Sequence, residues 1–282
     1  MLRKRLTQVR VLLAVVGWPA IAQAVLLTDG LAAYWHLDEA GGTRLDAAGA
    51  NDLTDHNTVT QAAGMLGNAA QFTSANSEYL SSADTAALSM AAHLDFSITA
   101  WVYPDSKPAG DNMFILGKMI DGAAGNAEYG MYWATATDNF RAYLSDGAGI
   151  TNLQATAFGA PPLSTWVFIA EWYDAAADTW NIQVDNGAVD AVANTTGSQH
   201  TANDFAMGRI PGDNSAYWNG RIDEVGLWKR VLTADERTTL YQDPGAVFRA
   251  PSAGPATPEP SSLVLLGCGL LGAAGQRRMT RV

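Results

Sequence analysis

Residues 96–104 read FSITAWVYP, and their alternation sets the fold class. Phe96, Ile98, Ala100 and Val102 point one way, while Ser97, Thr99, Trp101 and Tyr103 point the other. A period of two places this segment in a half-buried β-strand. Similar short runs surround it: AAYWHLDE from Ala32, MFILGKM from Met113, YGMYWAT from Tyr129, FRAYLSD from Phe140, WVFIAEWYD from Trp166 and TWNIQV from Thr179. Gly, Asp and Asn separate them, as turns require. Asp185-Asn186-Gly187 predicts a tight hairpin, with Asn-Gly supplying the positive φ angles.

One segment reads as a helix, TADERTTLYQD from Thr233. Thr233 and Glu236 have the spacing of a capping box, and Leu240 and Tyr241 could rest on a sheet. Many short strands and one short helix predict an all-β, two-sheet antiparallel jelly-roll sandwich over residues 25–249. No internal repeat supports a propeller or solenoid.

The two ends have a different chemistry. Arg3, Lys4, Arg5 and Arg10 precede an apolar run, and Ala22-Gln23-Ala24 closes it. That order predicts a secretory signal peptide over residues 1–24. Residues 250–257 are rich in Pro, Ala and Gly and predict a flexible linker. Beyond them stand Pro258-Glu259-Pro260, an uncharged stretch to Gln276, and the basic residues Arg277, Arg278 and Arg281. The 17 residues from Pro260 to Gln276 are just long enough to cross a ~30 Å hydrocarbon core. The arginines would hold the C-terminus on the cytoplasmic side. The only cysteine, Cys268, lies in this stretch. The body therefore has no disulfide and no thiolate metal site. A net charge of −11 argues against a nucleic-acid partner, which requires a basic face.

Two likenesses follow from these residues. GLAAYWHLDEAGGTRLDAAGAND, from Gly30, resembles the first strand and loop of laminin-G-like (concanavalin A-like lectin/glucanase) jelly-roll domains. YWNGRIDEVGLWKRVLTADERTTLY, from Tyr217, resembles their end. The likeness spans roughly residues 30–242 and implies carbohydrate or matrix binding. The tail resembles a PEP-CTERM sorting signal. That resemblance implies an exosortase-type enzyme as a transient partner and a tether in the inner membrane of a Gram-negative bacterium. The body would then pass to the cell surface or extracellular matrix.

Enzyme chemistry finds little support. Glucanases of this architecture carry a Glu-x-Asp-x-x-Glu strand, which is missing here. Glu171-Trp172-Tyr173-Asp174 has the wrong spacing, and Asp223-Glu224 would face opposite sides of a regular strand. No Gly-x-Ser-x-Gly or His-Glu-x-x-His motif occurs, and His36, His56, His93 and His200 are scattered. The expectation is a non-catalytic module, with a ligand-free spacer and a glycoside hydrolase or lyase as alternatives. Calcium suits oxygen donors, and the loop LDAAGAND offers Asp46 and Asn51. By resemblance, Asp46 and Asp223 would hold a structural Ca2+, with Asn51 as a third ligand; Asp46 and Asn51 could equally make turns. Sugar rings call for aromatic faces beside hydrogen-bonding groups. Trp101, Tyr132, Trp133, Trp172, Trp180, Tyr217 and Trp218 are the candidates, with Tyr217 and Trp218 foremost because they follow the polar loop PGDNSA.

Overall fold

The computed structural model describes residues 26–210 and 215–249. The expected signal peptide, linker and sorting motif, including Pro258, Glu259, Pro260, Arg277 and Arg278, lie outside the described residues. Among those described, no helix is long and apolar enough to cross a membrane.

The strands in chain order are β1 (Leu31–Trp35), β2 (Thr54–His56), β3 (Thr60–Ala63), β4 (Asn68–Phe72) and β5 (Tyr79–Ser82). Next come β6 (Phe96–Pro104), β7 (Met113–Met119), β8 (Ala127–Ala134), β9 (Asn139–Ser145) and β10 (Ile150–Gln154). The last are β11 (Val167–Asp174), β12 (Thr179–Val184), β13 (Val189–Ala193), β14 (Phe205–Met207) and β15 (Gly220–Trp228), followed by helix α1 (Ala234–Gln242). An eight-stranded sheet has the order β13-β12-β11-β6-β15-β4-β3, with β1 also on β15. A seven-stranded sheet has the order β10-β9-β8-β7-β14-β5-β2. All the strand pairs are antiparallel, which makes the two-sheet jelly roll that the alternation predicted.

The core forms where the inward residues of the two sheets meet. Phe96, Ile98, Ala100 and Val102 supply one layer from β6; Tyr129, Met131 and Trp133 supply another from β8. Trp35 stacks on Phe205 at 5.2 Å and joins the sheets. Burying each large apolar side chain contributes ~1.5–3 kcal/mol. The strand β6 departs from expectation in one respect. Its outward residue Trp101 is also buried, because α1 covers that side. Tyr241 stacks on Trp101 at 5.7 Å, and Leu240 joins Phe168 and Trp228. The capping box holds, with the Thr233 side chain accepting from Glu236 N and the Glu236 carboxylate accepting from Thr233 N. At the β12–β13 hairpin the turn is displaced by one residue. Asp185 and Asn186 take the positive φ angles, and Gly187 does not. Both tolerate that region, so the turn keeps its I′ shape.

The central strand β15 is bulged between Asp223 and Gly226, where Glu224 adopts φ +47°. Ile222 and Val225 both point into the core, with two residues between them. The extra residue therefore sends Asp223 and Glu224 to the same outer side, not to opposite sides as in a regular strand. Asp223 accepts N–H bonds from Met65 and Leu66, which fixes the β3–β4 turn, and from Glu224. Glu224 accepts from the Tyr34 hydroxyl and contacts His36 Nδ1 at 3.0 Å.

A second buried polar group lies on the seven-stranded sheet. Lys118 pairs with Glu128 at 3.1 Å and with Asp84, and both Lys118 and Glu128 are fully buried. Glu128 also accepts from Ser89, Met90 and Thr201, so its oxygens are fully used.

Glu171 has no such partner. It lies between inward-facing Ile169 and Tyr173, fully buried, and neither oxygen has a hydrogen bond among the described residues. Burial pushes its pKa well above the usual carboxylate range, so it is held as the neutral acid. Glu171→Met should therefore stabilise the domain by about 1–3 kcal/mol, measured by urea unfolding. Asp223 has a different signature. Burial outweighs its three N–H bonds and pushes its pKa up to about 8. Its stabilising contribution is complete below the ordinary carboxylate value and is lost as pH rises from about 4 to about 8. Unfolding curves across that window should slope downward in the native protein and flatten in Asp223→Asn.

Candidate functional site

The two outer faces of the sandwich differ. The eight-stranded sheet is covered by α1 and by the segment up to Val247. The seven-stranded sheet instead carries its own apolar cluster, Phe114, Tyr132, Tyr143, Met119 and Ile210 among them. These residues lie on neighbouring strands. Tyr132 on β8 pairs with Arg141 on β9, and Tyr143 on β9 pairs with Asn152 on β10.

The cluster lines a hollow of about 190 Å³ with Asn112, Gly122, Ile150 and Asn152. Phe114 and Tyr132 stack at 5.1 Å, nearly parallel. The Tyr132 hydroxyl donates to Asn152 Oδ1 at 3.1 Å. Tyr143 lies across two glycines. A Cβ on Gly130 would come within 2.6 Å of its ring, and one on Gly117 within 2.8 Å of its hydroxyl. Glycine in mid-strand marks such a close approach. The Tyr143 hydroxyl is buried and has no hydrogen-bond partner among the described residues. Burial raises its pKa well above the usual phenol range, so it keeps its proton as a donor. A buried hydroxyl without a partner is costly unless something completes it.

A second hollow of about 250 Å³ adjoins the first and shares Asn112. Ser74, Ser106, Lys107, Asp111 and Tyr217 line it. The backbone of Phe114 donates to Ala216 O, which ties the two hollows together.

The sequence-predicted residues divide. Tyr217 is half-buried in the second hollow, where its hydroxyl accepts from Arg209 at 3.3 Å. Trp218 is a correction: it is fully buried in the inter-sheet core and offers no face to a ligand. Trp133 and Trp180 are core residues too, while Trp101 lies under α1 and Trp172 is stacked against the Arg237 guanidinium. Tyr132 is the other candidate that reaches the groove. Phe114, Tyr143 and Ile210 escaped the sequence reading because strand alternation does not say which face is open. The available signal was the pair of mid-strand glycines, Gly117 and Gly130.

Of the three expected calcium ligands, Asp46 and Asn51 are hydrogen-bonded to each other, and all three already have protein partners. Asp46 Oδ1 accepts from Tyr34 N and Ala48 N, and Oδ2 accepts from Asn51 N and Asn51 Nδ2. Asn51 Oδ1 accepts from Thr85. Asp223 is committed to the β3–β4 turn. An ion at Asp46 would compete with four N–H donors. Among the described residues, no group of three or more His, Cys, Asp or Glu could hold a metal.

Comparisons with known proteins agree with this architecture. Residues 256–278 match the PEP-CTERM protein-sorting motif, the mark of an exported protein anchored at the membrane before processing. No curated protein matches the chain. Among solved structures, it resembles domain 4 of AbnA, an extracellular arabinanase from Geobacillus stearothermophilus, in complex with arabinotriose. The identity is 17%, the TM-score is 0.57, and coverage is 75% of this chain and 98% of that one. The binding domain of Paraclostridial Mosquitocidal Protein 1 aligns at 13% identity and TM-score 0.61, over 76% of this chain and 52% of that one. The sialidase of Trypanosoma rangeli aligns at 16% and 0.54, over 79% and 35%. The chain thus spans about half of the second structure and a third of the last. Residues 74–236, more than half of the chain, match the laminin-G-type model of the concanavalin A-like lectin/glucanases superfamily, and the chain belongs to that family.

Proposed function

We propose that the domain binds carbohydrate, without turning it over, in the groove on its seven-stranded sheet. The observation that carries this reading is the buried, unpartnered Tyr143 hydroxyl set in an aromatic hollow on the face left open. A pyranose or furanose has an apolar face for Phe114 and Tyr132. Its hydroxyls would meet Tyr143, Asn112 and Asn152. Each hollow alone falls below the ~300 Å³ at the small end of ligand sites. A ligand that fills both would span at least two sugar units, with Tyr217 in the second. Neighbours of the same fold that hold arabinotriose or sialic acid in their structures support this class of ligand.

Glycoside hydrolysis needs two carboxyl groups flanking the scissile bond. Asp111 is the one carboxylate in the described lining, which supports binding over turnover. The exported domain would act at the cell surface or in the matrix. There it would hold extracellular polysaccharide after an exosortase-type enzyme has processed the tail. Structural calcium is kept as a separate proposal, at the Asp46 loop.

Binding to a panel of arabino-, gluco- and sialo-oligosaccharides, read by calorimetry, tests the groove. Tyr132→Ala should abolish measurable binding. Tyr143→Phe should weaken it by about 1 kcal/mol, roughly fivefold, because one hydrogen bond is lost. Both variants should unfold cooperatively. No binding to any of these by the folded protein would favour the spacer reading. Transfer from calcium buffer to EDTA should lower the melting temperature if an ion bridges Asp46. An unchanged melting temperature would leave Asp46 as a turn residue only.

A further inference from the structure

The second outer face of the sandwich carries its own information. Nine large apolar side chains are exposed among the described residues. Four of them, Leu26 (50% exposed), Met65 (37%), Leu66 (41%) and Phe248 (46%), lie at or beside the two ends of the described domain. The ends meet there. Leu27 and Val247 pack in one cluster, and the Leu27 carbonyl accepts from Trp228 Nε1 at 2.7 Å. Leu66 reaches over to Gly245. Phe248 stands edge-on to Tyr34 at 5.3 Å and against His36 at 5.5 Å.

The chain beyond this patch dictates what lies near it. Only eight residues, 250–257, separate Arg249 from Pro258. Fully extended they reach at most ~29 Å, and as a flexible coil about 14–17 Å. A domain of this size has a radius of gyration of about 17 Å. While the tail is in the bilayer, the exit face is therefore held within about one domain radius of lipid. Such a short tether gives an effective concentration in the millimolar range. A small apolar patch that would not bind free vesicles can then engage the surface.

We infer that the exit face, formed by Met65, Leu66 and Phe248, docks on the lipid bilayer that holds the uncleaved tail. The inference rests on the sorting motif matched at residues 256–278 and not on the carbohydrate reading. The patch borders the face covered by α1, while the groove lies on the opposite sheet. Docking therefore turns the groove away from the membrane.

Hydroxyl-radical footprinting of the full chain tests this. The chain is inserted through its tail into nanodiscs of phosphatidylethanolamine and phosphatidylglycerol, with no sorting enzyme present. It is compared with the same sample after cleavage at a protease site placed in residues 250–257. Met65 and Phe248 should label several-fold more slowly in the tethered sample and regain full labelling on cleavage. Ile120, exposed beside the groove, should label equally in both. The paired substitutions Met65→Ser and Phe248→Ser are read at Leu66, whose protection should be lost. Equal labelling of Met65 and Phe248 in the tethered and cleaved samples would overturn the inference. Protection of Ile120 instead would overturn the orientation. Persistent protection of Leu66 in the paired variant would also count against docking through this patch.

Discussion

The bulge in β15 is the constraint on which the other elements depend. This strand lies against β6 on one side and shares its other side between β4 and β1. A regular strand could not hand over from one neighbour to the next while keeping both carboxylates on one side. The extra residue does this by placing Glu224 in the left-handed region. Asp223 then closes the β3–β4 turn, and Glu224 anchors Tyr34 of β1. Removing either carboxyl would leave buried donors without acceptors, and such groups are more costly than the net worth of the bonds. Two acidic residues in mid-sheet are thus a device for joining strands distant in sequence.

The two sheets solve the problem of their outer faces in different ways. The eight-stranded sheet is closed by α1, whose Leu240 and Tyr241 cover Trp101 and Phe168. On the seven-stranded sheet the aromatic side chains pack on one another and on Met119, Ile150 and Ile210, with no helix over them among the described residues. Tyr143 lies flat because Gly117 and Gly130 give it room, and its hydroxyl is buried over them with no hydrogen-bond partner among the described residues. A ligand would supply what the helix supplies on the other side, an apolar cover, together with a hydrogen-bond acceptor that the helix does not need to offer.

Much of the architecture was legible in local pattern. The alternation of Phe96 to Val102 gave a correct inward face, and Thr233 with Glu236 marked the start of α1. The pattern failed where a third layer intervened, since alternation cannot tell a solvated face from one roofed by a helix. It failed again at Asp223-Glu224, because a bulge leaves no clear sign in residue type. The site was less legible. Tyr217 and Tyr132 were among the candidates, but Trp218 is core, and position in sequence does not distinguish two adjacent aromatics of which one is buried and the other half-exposed. Asp46 has the composition of an ion ligand and the contacts of a turn residue, and residue type alone does not choose between the two.

The meeting of Leu27 and Val247 has a consequence of another kind. Within the described residues, the two ends of the domain meet in one cluster. Domains with adjacent termini tolerate insertion and relocation. The first hollow draws its residues from the stretch Asn112–Asn152 and from Ile210, all far in sequence from either end of the described residues. Changes at either end therefore fall on the side of the domain away from these strands, which can stay as they are.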